Sequence, residues 1–196
     1  MSALTHALPR PDRLLSRLLY EVSLVLGGSL LIAGLAQVAV PLPFTPVPIS
    51  GQTLGVLLIG AGYGWARGGI TLAVYILQIA VGLPFAAEGK SGVEILTFAT
   101  ASGGYIWGFA LAALLVGWLA QRGWDRELSS SIGMMLLGTV VIYLLGIPWL
   151  MRSVGLGLED ALMAGLAPFV IGDLLKLLVA AAALPAAWHL LGRSPD

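Results

Sequence analysis

Long apolar windows, separated by segments rich in proline, glycine or charge, dominate the chain from residue 18 onward. An α-helix rises about 1.5 Å per residue, so about 20 apolar residues cross the hydrocarbon core of a bilayer. Most of the windows approach that length. The pattern therefore predicts an all-α membrane protein built as a bundle of six transmembrane helices, over residues 18–40, 51–66, 68–83, 103–121, 130–151 and 166–191.

The domain organisation that follows is a single transmembrane domain over residues 18–192, with an N-terminal segment, 1–17, and a short tail, 193–196.

The windows at 51–66 and 68–83 are short, so we expect them to tilt little, to extend into the headgroups or to form a partly broken pair. The first apolar stretch follows several arginines as in a signal peptide. It is long enough to span a bilayer, and we expect a retained helix.

The charge distribution predicts how the bundle is oriented. Of the ten Lys and Arg residues, seven fall on the side of the N-terminus, two on the opposite side and one, Lys176, within a span. Cytoplasmic loops of membrane proteins carry an excess of Lys and Arg. Both termini are therefore predicted to be cytoplasmic, with the connections at 41–50 and 84–102 facing outward.

Composition argues against several other functional classes. The chain is 58% hydrophobic and only 10% charged, which is typical of a protein surrounded by lipid. It has no cysteine and only two, widely separated histidines, so we expect no disulfide and no metal site. The formal net charge is zero and there is no basic run, which argues against binding to nucleic acid.

Two ionisable residues inside the last predicted span are the most informative chemical feature. An ionisable group near the middle of a span costs roughly 2.5 to 3.5 kcal/mol on insertion scales. Asp173 and Lys176 are three residues apart, so they share one helix face and can pair. The pair could merely reduce its own desolvation cost. However, a helix that begins at Pro168 places the two residues roughly 7 and 12 Å below its outer end, which favours a site in an outward-facing cavity.

Evidence for catalysis is weak. Gly89-Lys90-Ser91 resembles the end of a phosphate-binding loop, but Pro84 stands where such a loop requires glycine, so we expect no nucleotide site. Lys90 then either carries a charge that is only solvated in its loop, or it attracts an anionic substrate. The chain has no nucleophile elbow, so we predict no enzyme, although an intramembrane enzyme using Asp173 as a base remains an alternative.

A resemblance to a known family begins at residues 41–55, which read PLPFTPVPISGQTLG. This segment is similar to the first-loop signature of the BioY family, the biotin-binding S-components of energy-coupling factor (ECF) transporters. Three further segments resemble that family in the same order: 82–85 with the glycine-rich loop after it, 103–105, and 168–176. The resemblance extends over nearly the whole chain from the first span onward.

The resemblance implies a six-helix bundle of the ECF S-component type, with a vitamin pocket near the outer face under the first and third connecting segments. Biotin offers a ureido ring, an apolar thioether ring and chain, and a carboxylate. Asp173 can accept from the ureido N–H groups, while Lys176 can donate to the carbonyl or balance the carboxylate, and both orientations stay open. The other substrate-binding residues that the resemblance implies are Thr45, Ser50, Gln52, Phe85, Lys90 and Tyr105.

The function implied is high-affinity binding and uptake of biotin in the inner (plasma) membrane of a bacterium. Biotin and the lipid bilayer are the expected partners, together with an ECF transmembrane coupling subunit and two cytoplasmic ATPase subunits. ATP is used only by those subunits, and we expect no cofactor on this chain. Three alternatives remain: an S-component for another vitamin, the intramembrane enzyme, and a helical scaffold without a ligand.

Overall fold

The computed structural model describes residues 4–6, 11 and 13–190, and this part of the chain is almost entirely helical. A two-stranded antiparallel sheet, β1 (Ala39–Val40) and β2 (Ile49–Ser50), pairs Ala39 with Ser50. Short 3-10 helices lie at Leu4–His6, Ala87–Gly89 and Val93–Leu96. The α-helices of the described residues are α1 (Leu14–Gln37), α2 (Gln52–Ala80), α3 (Gly103–Ala120), α4 (Leu128–Val154), α5 (Leu158–Gly165) and α6 (Val170–Leu190).

Helix α2 folds back on itself at Gly64, whose φ of 79° and ψ of 169° lie far from helical values. Gln52 Nε2 donates a hydrogen bond of 2.7 Å to the Tyr75 hydroxyl, although residues 23 positions apart in a straight helix are about 35 Å apart. The element is therefore an antiparallel hairpin, and its two arms correspond to the predicted windows at 51–66 and 68–83. Glycine suits the turn because it adopts positive φ without a steric penalty.

The structure differs from the predicted spans at several boundaries. α1 starts four residues before the predicted span and ends three residues before its end, because the chain turns into β1. α6 starts four residues later than predicted, since residues 166–169 form a turn in which the Phe169 N–H donates to the Leu166 carbonyl. The short helix α5 was not predicted. The tail at 193–196 lies outside the described residues.

The apolar surface of the helices fits a membrane-embedded protein. Of the helices in the described residues, α1, α3, α4 and α6 are long and apolar enough to cross a bilayer. The arms of α2 on either side of Gly64 are shorter, and the prediction of six spans stays a prediction. The α3 window is 67% buried and the α1 window 22%, so α3 lies at the centre of the bundle and α1 at its edge.

Polar contacts stabilise the end of the bundle that contains Gly64. Asp125, in the connection between α3 and α4, is fully buried and accepts a hydrogen bond of 2.7 Å from Trp188 Nε1 of α6. Burial raises the pKa of the Asp125 carboxyl above its ordinary value, against the opposing effects of the Trp188 hydrogen bond and the Arg126 charge. Arg67, just after the hairpin turn, donates from Nε and Nη2 to the Glu21 carboxylate, each at 2.7 Å, and so connects α2 to α1.

The contact between the hairpin turn and α3 gives a test of the fold. A Cβ atom on Gly117 would lie 2.5 Å from the carbonyl carbon of Gly64, whereas one on Gly62 would meet nothing within 4 Å. Gly117→Ala is therefore expected to destabilise the protein by about 1–3 kcal/mol, as overpacking of a core does. Gly62→Ala is the matched control. Thermal unfolding in detergent should give a lower Tm for Gly117→Ala alone, and equal Tm values would contradict the close approach.

Candidate functional site

A cavity opens where the N-terminal ends of α3 and α6 meet α4 and the two longer connecting segments. The space between its lining atoms, including the opening to solvent, is about 650 Å³. Its polar lining consists of Ser50, Gln52, Thr53, Lys90, Ser102, Tyr105, Tyr143, Asp173 and Lys176. Its apolar lining includes Val47, Ile95, Ile106, Phe109, Ile142 and Phe169.

Four side chains from three helices form a polar cluster on the cavity wall. Lys176 Nζ lies 2.9 Å from Asp173 Oδ1, and each of these two atoms lies 3.3 Å from Thr53 Oγ1. A hydroxyl can donate to the carboxylate and accept from the ammonium group at the same time. Tyr143 donates a short hydrogen bond to Asp173 Oδ2. Both carboxylate oxygens are therefore satisfied within the protein, and the opposite charges lie in direct contact.

The start of α6 explains why these charges occur there. The Asp173 N–H donates a 2.7 Å hydrogen bond to the Phe169 carbonyl, and the carboxylate lies in the first helical turn, where the helix dipole favours negative charge. Lys176 lies one turn further. Counted from Val170, the two residues are about 4.5 and 9 Å along the helix, nearer to its end than the sequence predicted, because the helix starts after Pro168.

A second chain of hydrogen bonds joins the first and third connecting segments across α2. The Ser50 hydroxyl donates to Gln52 Oε1 at 2.9 Å, Gln52 Nε2 donates to the Tyr75 hydroxyl, and that hydroxyl donates to the Phe85 carbonyl at 2.8 Å. From α1, Gln37 Nε2 also donates to carbonyls of the third segment. The two segments over the cavity are thus fixed to the hairpin and to each other.

Six of the eight predicted substrate-binding residues line this cavity: Ser50, Gln52, Lys90, Tyr105, Asp173 and Lys176. Thr45 and Phe85 lie outside the lining. The Thr45 hydroxyl accepts from the Val47 N–H at 3.2 Å and so shapes the first segment. Phe85 packs against the core through its ring. Contact of each predicted residue with a ligand stays a prediction.

Sequence reasoning missed two members of the polar cluster, Thr53 and Tyr143. Thr53 was within the signature segment at 41–55, directly after a predicted site residue. Tyr143 offered a different signal, because a hydroxyl in the middle of an apolar window needs a hydrogen-bond partner inside the protein. Tyr105, which was predicted, donates to the Gly165 carbonyl at 2.8 Å, and its ring meets that of Tyr143 edge-on at 6.1 Å between centroids.

The arrangement suits a small ligand that has polar and apolar parts. The cluster can accept hydrogen bonds at Asp173 and donate them from Lys176, while aromatic and branched side chains supply an apolar wall. Within the described residues, no group of three side chains from His, Asp and Glu is placed to hold a metal ion. The lining itself offers hydrogen bonds, charge and apolar contact for recognition of a ligand.

Comparison with known proteins identifies the family. A sequence model of the BioY family matches residues 10–193. The biotin transporter BioY of Rhizobium etli is 36% identical over 149 residues, which cover 72% of this chain and 78% of that protein. The biotin transporter BioY of Rhodobacter capsulatus is 38% identical over 151 residues, with the same two coverages.

A solved structure has the same fold. The crystal structure of the S-component for biotin from an ECF-type ABC transporter superposes with a TM-score of 0.77, over 86% of this chain and 90% of that one, at 23% identity. The resemblance inferred from the four sequence segments is thereby confirmed. Because the family model spans nearly the whole sequence, the chain belongs to the BioY family.

Proposed function

We propose that this protein is the biotin-binding and uptake subunit of an ECF-type transporter in a bacterial plasma membrane, and that biotin binds in the cavity described above. The names of the relatives in Rhizobium and Rhodobacter support biotin as the ligand. The observation that carries the assignment of the site is the Asp173–Lys176 pair, which is largely buried yet lines a cavity in a membrane-embedded chain. Intramembrane charges are costly and usually mark substrate sites.

The chemistry of biotin matches the two kinds of wall in this cavity. Its ureido ring carries two N–H donors and one carbonyl, which Asp173 and Lys176 complement. Its thioether ring and hydrocarbon chain match the apolar side, which includes Phe109 and Phe169. A ligand without the ureido group would lack hydrogen bonds to this charged pair, and hydrogen bonds to charged groups separate similar ligands.

The alternative functions are less well supported. The BioY family is a family of transporters, so the chain is not an enzyme. An S-component for another vitamin would share the fold, but the curated relatives are named for biotin. A scaffold without a ligand gives no reason for charged residues on a cavity wall.

Biotin titration tests the site directly. Wild-type protein in detergent is expected to bind one biotin saturably in calorimetry. Asp173→Asn keeps the shape of the side chain but removes its charge, and hydrogen bonds to charged groups contribute about 1.5–3 kcal/mol. This variant should therefore bind at least about tenfold more weakly. Asp160→Asn, at an exposed position on α5, is the matched control and should bind like wild type.

Each other outcome of this titration has a definite meaning. Folded wild-type protein that gives neither heat nor a rise in Tm with biotin would refute the biotin assignment, and binding of another vitamin would support the second alternative. Equal binding by wild type and Asp173→Asn, with the same Tm, would remove Asp173 from the site. The same titration with Lys176→Met tests the other member of the pair.

The orientation of the bundle is part of the proposal, with both termini in the cytoplasm and the cavity facing outward. The unequal distribution of Lys and Arg supports it. The chain has no cysteine, so single-cysteine variants can be labelled without background. Glu94→Cys is expected to react with a membrane-impermeant maleimide in intact cells, and Glu127→Cys only after permeabilisation. Both positions are exposed, so the reverse pattern would contradict this orientation.

Dependence on partner subunits is the remaining part of the proposal. The solved relative comes from an ECF-type ABC transporter, which supports a transmembrane coupling subunit and two ATPase subunits as partners. Cells without their own biotin transporter should accumulate labelled biotin above the external concentration only when this chain and the coupling module are co-expressed. A module with inactive ATPase subunits is the control. Equal accumulation by the chain alone would contradict the dependence.

A further inference from the structure

A tight turn at residues 86–90 brings Lys90 to the mouth of the cavity. The Ala86 N–H donates to the Lys90 carbonyl at 3.1 Å, and the Lys90 N–H donates to the Ala87 carbonyl at 3.3 Å. Glu88 lies between them with a φ of 62°, and among the described residues it is the one non-glycine residue with positive φ. Glu88 adopts this uncommon backbone conformation, which allows the chain to close the turn.

The turn pairs the two charged side chains that it carries. Lys90 Nζ lies 2.7 Å from Glu88 Oε2. Lys90 lines the cavity and Glu88 does not. The Lys90 side chain is 54% exposed, whereas those of Asp173 and Lys176 are 9% and 18% exposed, so the cavity has a solvated cation at its mouth and a shielded ion pair deeper in its wall.

The charges on the cavity wall distinguish the two ends of the ligand. Asp173 and Lys176 neutralise each other in the shielded wall, whereas Lys90 lines the mouth and is paired with Glu88, which lies outside the lining. A second carboxylate beside Asp173 would place two negative groups around one ammonium group, an arrangement that disfavours the charged forms. A neutral ureido group brings no such repulsion to the inner pair. At the mouth, a carboxylate keeps part of its hydration, and water screens its repulsion from Glu88, so it can share the Lys90 ammonium group.

We propose that Glu88 competes with the carboxylate of the ligand for the Lys90 ammonium group and so sets the preference for an anionic ligand over its neutral derivatives. The inference rests on the proposed function, with the ureido ring at Asp173 and the carboxylate at Lys90. An ammonium group has three N–H donors and can contact two carboxylates, but the two anions repel each other. Glu88 therefore lowers the affinity for an anion at this position.

A comparison of biotin with its methyl ester tests the proposal, because the ester keeps the ureido ring and lacks the negative charge. Glu88→Gln should bind biotin up to about fivefold more tightly than wild type, and Lys90→Met up to about fivefold more weakly, the range of exposed charge pairs. Binding of the ester should be unchanged in both variants. Added salt should reduce the differences, since exposed charges are screened. Glu94→Gln, in the same segment, is the matched control.

The outcomes separate this inference from the proposed function. If biotin and its ester bind wild type but neither variant changes their ratio, the inference is wrong and the biotin site stands. Equal weakening of both ligands by Lys90→Met would show a structural role for Lys90 and would also overturn the inference. Weaker biotin binding by Glu88→Gln would show that Glu88 positions Lys90 and does not compete. If neither ligand binds folded protein, the proposed function fails and the inference fails with it.

Discussion

Hydrogen bonds and charges inside a bilayer have to be satisfied by the protein itself, because lipid chains offer no partners. This constraint explains why the polar side chains of this bundle form groups. Asp173 is paired with an ammonium group and two hydroxyl groups. Gln52 accepts a hydrogen bond at its amide oxygen and donates one from its amide nitrogen. The first group joins α6 to α2 and α4, and the second joins the two arms of α2 to the segments over the cavity, so satisfying the polar atoms also determines which elements lie together.

Close packing of backbones is the second determinant of the fold. At α3, glycines face α2 and α4 where any side chain would collide with the neighbouring backbone: Gly108 meets Ile142, and Gly117 meets the turn at Gly64. Van der Waals contact of this kind drives helix association in membranes, where apolar side chains gain little from leaving lipid. The central helix α3 therefore meets two neighbours closely at glycines, whereas the peripheral α1 presents large apolar side chains outward.

The sequence predicted the helical class, the family and six of the nine polar residues of the cavity lining, because those depend on apolar length and on local signatures. Asp173 and Lys176 were recognised as ionisable residues within an apolar window, and their i,i+3 spacing places them on one face of any helix. The position of the reversal at Gly64 was harder to predict from the sequence. Glycine is frequent in this chain, and only tertiary contact shows which glycine adopts positive φ. Thr53 and Tyr143 were missed because their role depends on which helices face α6.

Neither arm of α2 has the length of a complete transmembrane helix. The arms contain 12 and 16 residues on either side of Gly64, fewer than the roughly 20 that one crossing helix requires, and the second arm carries Arg67. The hairpin places Gln52 and Ala80 at the same end of the bundle. The two segments that cover the cavity lie next to these ends. Formation of the hairpin therefore also brings together the two segments over the cavity.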